Sequence, residues 1–364
     1  MTPEQAGSFL SINLGAIADN WRALQSRLGP GKTCAAVLKT DAYGLGAEKI
    51  APALEQAGCG TFFVAHVFEG IVLRGVVPAA KIYVLHGVMP GTEQDFVRFN
   101  LIPVLNTVAQ ISDWTAHAKE TGNVLAAALH VDTGMTRLGL TRNDVRVLCE
   151  LPEILDGLAV ELVMSHLACG DEPESPMNRG QLASFEAVCA ELHKVLPYGF
   201  RESLSASAGC FLPAAFHKDV VRPGIALYGG MGGLKPAVTL TSRIMQVQEV
   251  EPGQTVGYGA FGVLPRGGKA ATVALGYGDG YPRVMSCRGT AFVGGKEVRT
   301  LGRISMDLTV LDVSEVAEKD LFPGQTVEFI GPNCPLSRIA EEAGTIEYEI
   351  LTNLGRRFYR SYVA

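Results

Sequence analysis

The apolar positions of this chain change rhythm once, near residue 235. From about residue 33 to residue 228, short β-branched or apolar runs alternate with stretches of helical spacing. The runs fall at 35–39, 61–65, 81–85, 101–106, 124–131, 158–165, 202–206 and 222–227. Between several of them apolar residues recur every three to four positions, as at 47–56, 108–119, 142–151 and 178–195. The helices after the second and third runs are only faintly marked. Strands apolar on both faces, alternating with helices, indicate a parallel sheet covered on both sides. Eight such units in about 200 residues predict a (β/α)8 barrel of the TIM type rather than an open sheet.

Past Leu234 the texture is that of an all-β domain. The segments RIMQVQEVEPGQ, KAATVALGYGDG, GTAFVGGKEV, DLTVLDVS and QTVEFIGPN read as short strands, punctuated by Pro252-Gly253, Gly294-Gly295 and Gly331-Pro332. One helix is expected at 336–343. The expected organisation is therefore a barrel over 1–236 and a C-terminal β-domain over 237–364, with the boundary in GGLKPAVTL.

Composition narrows the function. A chain of 364 residues is long enough for two cores, and 47% hydrophobic content is ordinary for a globular protein. A net charge of -6, with no run of Lys and Arg, excludes a nucleic-acid footprint. No segment has the roughly 20 apolar residues of a membrane helix. The N-terminus, MTPEQAGSFLSINLG, has no basic stretch followed by an apolar one. The eight cysteines are scattered without a C-x-x-C pair, which suggests free thiols rather than disulfides or zinc. The expectation is a cytoplasmic protein without a metal site or a membrane partner.

Reactive groups of a barrel sit at the C-terminal ends of its strands. Lys39 ends the first run, and apolar neighbours would lower its pKa and suit it to a Schiff base. His166 ends the sixth run. Ser207 follows the seventh, and Arg222, Gly224 and Ile225 lie at the eighth, the region where barrels commonly bind phosphate. Each has a plainer reading: a solvated rim lysine, a core histidine, a structural arginine, turn-forming glycines. Their shared rim is what joins them.

The motifs AAVLKTDAYGLG, HVDTGMTRLGL, SHLAC, SASAG and VRPGIALYG resemble the barrel motifs of the alanine racemase family. GYGDGYPR, GRISMD and TIEYEI resemble the motifs of that family's C-terminal domain. The resemblance covers essentially the whole chain, in the family's order and spacing. It implies interconversion of L- and D-alanine with pyridoxal 5'-phosphate. Lys39 would attach the cofactor covalently. Tyr43, Ser207, Tyr348 and the backbone of Gly224 and Ile225 match the positions around its phosphate, and His166 matches the residue against its ring. Arg222 matches the residue bonded to the pyridine nitrogen. Arginine has only donors and does not deprotonate, so that nitrogen must stay unprotonated.

Racemisation removes a proton from one face of the α-carbon and delivers one to the other, which calls for two bases. By the resemblance these are Lys39 and, from the partner subunit of a homodimer, the tyrosine at position 277. Free tyrosine titrates near pH 10, so Tyr277 is expected to need nearby cations. Arg137 matches a residue near the substrate carboxylate and the cofactor phenolate, and Met306 one whose backbone N–H holds that carboxylate. Two positions depart from the family pattern. His130 stands where a carbamylated lysine is frequent, and Ala206 where Asn commonly precedes the phosphate-binding serine. Arg137 is then expected to pair with a bound anion such as chloride, held together with His130.

Three rivals remain from the sequence. A racemase of broader specificity, for example toward serine, would share every motif. A decarboxylase of the same architecture would put an acidic group, not Arg222, on the ring nitrogen. A non-catalytic carrier of the cofactor would need no C-terminal domain.

Overall fold

The computed structural model describes residues 1–196 and 198–364. The chain falls into two compact units, one of residues 18–42 and 46–227, the other of residues 1–17, 43–45 and 228–364.

The first unit is a closed parallel barrel. Its strands are Thr33–Cys34 continuing into Ala36–Val37, then Thr61–Val64, Lys81–Val84, Ile102–Leu105, Leu125–His130, Leu158–Met164, Arg201–Ser203 and Val220–Val221. Each pairs in parallel with the next up to Arg201–Ser203. Closure comes from Val220 opposite Thr33 and Val221 opposite Cys34. On the other side Asp219 N–H donates to Glu202 O at 3.0 Å and Arg222 N–H to Ser205 O at 2.9 Å. The runs are apolar because both faces are covered: Phe62, Phe63, Val64, Ile82, Val84, Val104 and Leu105 are all buried. Helix ends follow the local sequence. The Thr107 hydroxyl caps Val108–Thr121 by accepting Gln110 N–H, and Gly122 ends that helix at φ 67°. Thr141 and Asp144 form a capping box on Arg142–Glu150.

The eighth strand differs from the run at 222–227. It is Val220–Val221, and Ile225–Tyr228 winds into a 3-10 turn. Pro223 lacks the N–H a ladder needs and Gly224 carries no side chain to pack, so the strand stops there. The first strand likewise ends at Val37, two residues before Lys39.

The second unit is an eight-stranded sheet. Its order is Gly268–Val273, Thr309–Asp312, Lys296–Thr300, Thr290–Val293, Thr326–Ile330, Val238–Val250, Ser8–Asn13 and Tyr359–Val363. The long strand Val238–Val250 also pairs with Gly268–Val273 past a register shift after Ile244, which curls the sheet round on itself. Ser8–Asn13 therefore belongs to this unit, whereas a division at residue 236 assigns it to the barrel. Its burial alternates strictly, one face in and one out. Helix Leu336–Ala343 ends at Gly344, φ 69°, and is followed by Glu347–Asn353, a helix too short to show a period in the sequence. All eight cysteines are free. Among the described residues, no helix is long and apolar enough to cross a membrane, and no group of three or more His, Cys, Asp or Glu is placed to hold a metal.

Candidate active site

Lys39 begins a helical turn, Lys39–Gly44, in which Thr40, Asp41, Ala42 and Tyr43 have φ between 53° and 59° and Gly44 has φ 80°. The turn is therefore wound left-handed. Such a conformation costs L-residues about 1–2 kcal/mol each and is seldom held over consecutive positions. Several hydrogen bonds hold it. Ala42 N–H donates to Leu38 O and Gly46 N–H to Asp41 O, both at 2.9 Å. Asp41 Oδ1 accepts Ala47 N–H at 2.7 Å. Glu69 Oε1 accepts Thr40 N–H at 2.6 Å, while its Oε2 accepts Ala65 N–H and His66 N–H at 2.8 and 2.9 Å. Burial lowers the pKa of Lys39, the Arg137 charge lowers it further, and the Glu69 carboxylate opposes both. The result is a lysine readier to be a neutral nucleophile than one in water.

Arg222 lies just past the eighth strand and is buried. Its Nη2 donates to Ser165 O at 2.6 Å and its Nη1 to Ser203 Oγ. Among the described residues its hydrogen-bond partners are these two neutral oxygens, and burial pulls its pKa down to about 10. A buried guanidinium bonded only to neutral groups keeps donors for a further acceptor. His166, at the end of the sixth strand, is pushed down to about 3 by burial and then by the charges of Arg222 and Arg137. It is neutral at physiological pH. Buried Gln181 places it, donating to His166 O at 2.9 Å and accepting Ala168 N–H at 2.8 Å. Ser207 Oγ accepts Gly224 N–H at 2.8 Å and Ala226 N–H at 3.3 Å, which sets the hydroxyl against the backbone of residues 224–226.

Arg137 is exposed on the loop after the fifth strand. Asp132 Oδ1 shapes that loop by accepting N–H from Gly134, Met135 and Thr136 at 2.9, 3.0 and 3.1 Å. His130 is buried, and its Nδ1 lies 2.8 Å from Asn106 Oδ1. Asn106 Nδ2 donates to Leu85 O and Val104 O, so its oxygen faces His130 and the network assigns the proton to Nδ1. Burial, then Arg222 and Arg137, push His130 down to about 4. A neutral His130 supplies a lone pair on Nε2 and no positive charge, so the charge attracting an anion there would be that of Arg137.

In the second unit, Tyr43 lies between two tyrosines, with ring centroids 5.1 Å from Tyr228 and 5.9 Å from Tyr348. Burial, with Tyr348, holds the Tyr43 phenol well above the usual range, so it stays a neutral donor. Tyr277 opens the 3-10 turn Tyr277–Asp279. Its N–H donates to Ser305 O at 3.0 Å, and Gly278 N–H to Met306 O at 2.8 Å, which brings Tyr277 and Met306 side by side. The two residues are 42% and 55% exposed. The structure thus groups Lys39, Arg137, His166, Ser207, Arg222, Gly224 and Ile225 on barrel strand ends, and Tyr43, Tyr348, Tyr277 and Met306 in the β-unit.

Glu69, Asn106 and Arg357 escaped the sequence reading. Glu69 stands three residues after His66 at a helix start, a spacing that a capping-box search detects. Asn106 and Arg357 act across the fold and leave no local signal.

Residues 12–232 match the family model for the alanine racemase N-terminal domain, and residues 237–362 that for the alanine racemase C-terminal domain. The chain is 44% identical to the catabolic alanine racemase of Agrobacterium fabrum, over 98% of this chain and 92% of that protein. It is also 44% identical to the biosynthetic alanine racemase of the same organism, over 99% and 95%. The crystal structure of alanine racemase from Bartonella henselae with covalently bound pyridoxal phosphate superposes with a TM-score of 0.93 at 37% identity, covering 98% of this chain and all of that one.

Proposed function

The chain belongs to the alanine racemase family, and from that premise we propose that it racemises alanine with pyridoxal phosphate by two bases, Lys39 on one face and Tyr277 of a second copy on the other. When bound, pyridoxal phosphate supplies the electron sink that makes the α-carbon acidic. The residues present fit it. Lys39 is a half-buried amine of lowered pKa, suited to attach the aldehyde. The Ser207 hydroxyl and the backbone of Gly224 and Ile225 would hold a phosphate once the Gly224 N–H turns from Ser207 Oγ to the anion, with Tyr43 and Tyr348 as further hydroxyl donors. Neutral His166 offers a flat face to a ring.

One observation carries most weight. Arg222 is buried, bonded to neutral oxygens, and can only donate. A ring nitrogen held by Arg222 would have to be an unprotonated acceptor, so the bound cofactor would be a weaker electron sink than one with a protonated ring. A weaker sink would favour racemisation over amino-group transfer. A decarboxylase with an acidic residue in that place is disfavoured for the same reason.

Lys39 and Tyr277 then divide the proton traffic. The Lys39 amine would take or give the proton on its own face, and the Tyr277 hydroxyl on the opposite one. The Arg137 guanidinium and the Met306 N–H hold the substrate carboxylate, which fixes the α-hydrogen toward one base or the other. The exposed side chains of Tyr277 and Met306 suit residues that complete a site on a second copy, so the proposed assembly is a homodimer. The proposed setting is the cytoplasm, supplying D-alanine for cell-wall synthesis.

The test is a survey of L-amino acids with the purified, cofactor-loaded protein. Alanine should reach equal amounts of both enantiomers from either side, because mirror images have equal free energy in water. Borohydride should fix the cofactor on Lys39. Serine racemised as fast as alanine would establish the broader enzyme instead, and label on another lysine would remove Lys39 from its role.

A further inference from the structure

Besides their backbone hydrogen bonds, the turn that carries Tyr277 and the turn that carries Met306 are both bonded to one side chain from elsewhere in the sequence, that of Arg357. Asp279, two residues after Tyr277, is buried. Its Oδ2 accepts Gly276 N–H at 2.9 Å and its Oδ1 accepts Arg357 Nε at 2.8 Å. The same guanidinium donates from Nη1 to Asp307, the residue after Met306, at 2.7 Å. Arg357 is itself anchored, since Gly355 N–H donates to Asp279 O at 2.8 Å.

No side chain separates the two turns. A Cβ on Gly276 would lie 2.3 Å from Met306 O, and one on Gly278 would meet both Met306 O at 2.9 Å and Arg357 Nη2 at 3.1 Å. The turns touch backbone to backbone, and the guanidinium lies flush against the residue next to Tyr277. Two N–H···O bonds from one strand-like contact still allow shear along the contact. A rigid, planar fork bonded to a carboxylate on each turn does not.

We propose that Arg357 is a positioning residue that fixes Tyr277 relative to Met306, so that the tyrosine hydroxyl is aligned with the α-carbon while the Met306 N–H holds the substrate carboxylate. This rests on the reading of Tyr277 as a base. Asp279 is the buried end of the clamp and Asp307 the exposed end. Side-chain exposures are 7% at Asp279 and 59% at Asp307. The Asp279 bond seats the guanidinium on the Tyr277 turn, and the more exposed Asp307 bond, weaker by itself, carries the link on to the Met306 turn. Misplacement of a reacting group by an ångström costs up to about 10²-fold in rate. The loss should fall on Tyr277's face and on alanine binding, and spare the face served by Lys39.

The test measures α-hydrogen exchange of L- and D-alanine separately in heavy water, with the cofactor-loaded dimer. Tyr277→Phe identifies the enantiomer whose exchange needs the tyrosine. Arg357→Met should slow exchange of that same enantiomer by about tenfold or more and raise KM. The other enantiomer should stay within about twofold, and the absorbance of bound cofactor should not change. Arg357→Lys, which can satisfy one carboxylate but not both, should recover part of the loss. Asp307→Asn, on the surface, should produce a smaller loss of the same asymmetry. In the cofactor-free protein, the amides of Gly276 and Gly278 should exchange faster in Arg357→Met while barrel amides do not. Equal losses for both enantiomers, or unchanged amide exchange, would overturn the clamp while leaving Tyr277 as base. Symmetric behaviour of Tyr277→Phe itself would overturn both.

Discussion

Glu69→Gln should loosen the segment that presents Lys39. The left-handed turn at Thr40, Asp41, Ala42 and Tyr43 stores about 1–2 kcal/mol of backbone strain at each residue. It is held by neutral bonds at Ala42 and Gly46 and charge-assisted ones at Thr40 and Ala47. Glu69 serves three N–H groups with two oxygens. Glutamine keeps one oxygen and turns an amide NH2 toward the remaining N–H group or groups. A hydrogen bond to a charged group contributes about 1.5–3 kcal/mol, and Glu69 is half-buried, so the loss should be about 2 kcal/mol. Both tryptophans, Trp21 and Trp114, lie in the barrel unit, so their fluorescence during urea unfolding of the cofactor-free protein reports on that unit. The midpoint should fall by roughly 0.5–1 M. The amides of Thr40, Ala65 and His66 should lose protection ahead of the rest. Removing the carboxylate also removes what holds the Lys39 pKa up. Competitive labelling of the free amine should therefore place the titration of Lys39 lower in the variant. An unchanged midpoint together with an unchanged or raised Lys39 titration would refute the latch.

Two further outcomes follow from neighbouring residues. His130 has a folded pKa near 4 against 6.5 ordinarily. Below pH 6.5 the unfolded chain therefore binds a proton that the folded chain refuses, and stability should fall with pH until about 4, where the slope from this residue ends. His130→Gln should flatten that part of the acid limb, measured as unfolding midpoint against pH. A limb unchanged in the variant would show that His130 is not held neutral. Thr40 is an exposed, β-branched residue at φ 55°. Thr40→Asn, which tolerates that conformation, should make the apo protein more stable by up to about 1 kcal/mol, whereas a right-handed turn in solution would make it neutral or destabilising.

The barrel was legible because runs such as 61–65, 81–85 and 101–106 are largely apolar on both faces, a pattern that follows from burial. The rim residues were legible through their motifs, since Lys39, Ser207 and Arg222 each sit at or just past a strand end. The turn after Lys39 was not. Nothing in TDAYG announces a left-handed helix, because its first four residues all prefer the opposite hand, and bonds from Glu69 and Asp41 override that preference. The strand Ser8–Asn13 gave a weak signal, because Phe9 and Leu10 break the alternation and buried Ser8 is polar, and its partner Val238–Val250 lies more than two hundred residues away. The run at 222–227 read as a strand because its apolar residues outweigh Pro223 and Gly224 in any composition count. Arg357 and Asp279 stand 78 positions apart, and only folding joins them.

The central claim is that one site draws Lys39 and Tyr277 from two copies of the chain. It is tested most directly by mixing subunits. Lys39→Ala and Tyr277→Phe proteins, each inactive as a homodimer, should be combined under conditions where subunit exchange is verified by mass. Each mixed dimer then contains one site with both bases and one with neither, so random mixing should restore about a quarter of wild-type racemisation. Restoration at that level is the predicted result. No activity from verified mixed dimers would contradict it, placing both bases in one chain or removing one of them from catalysis.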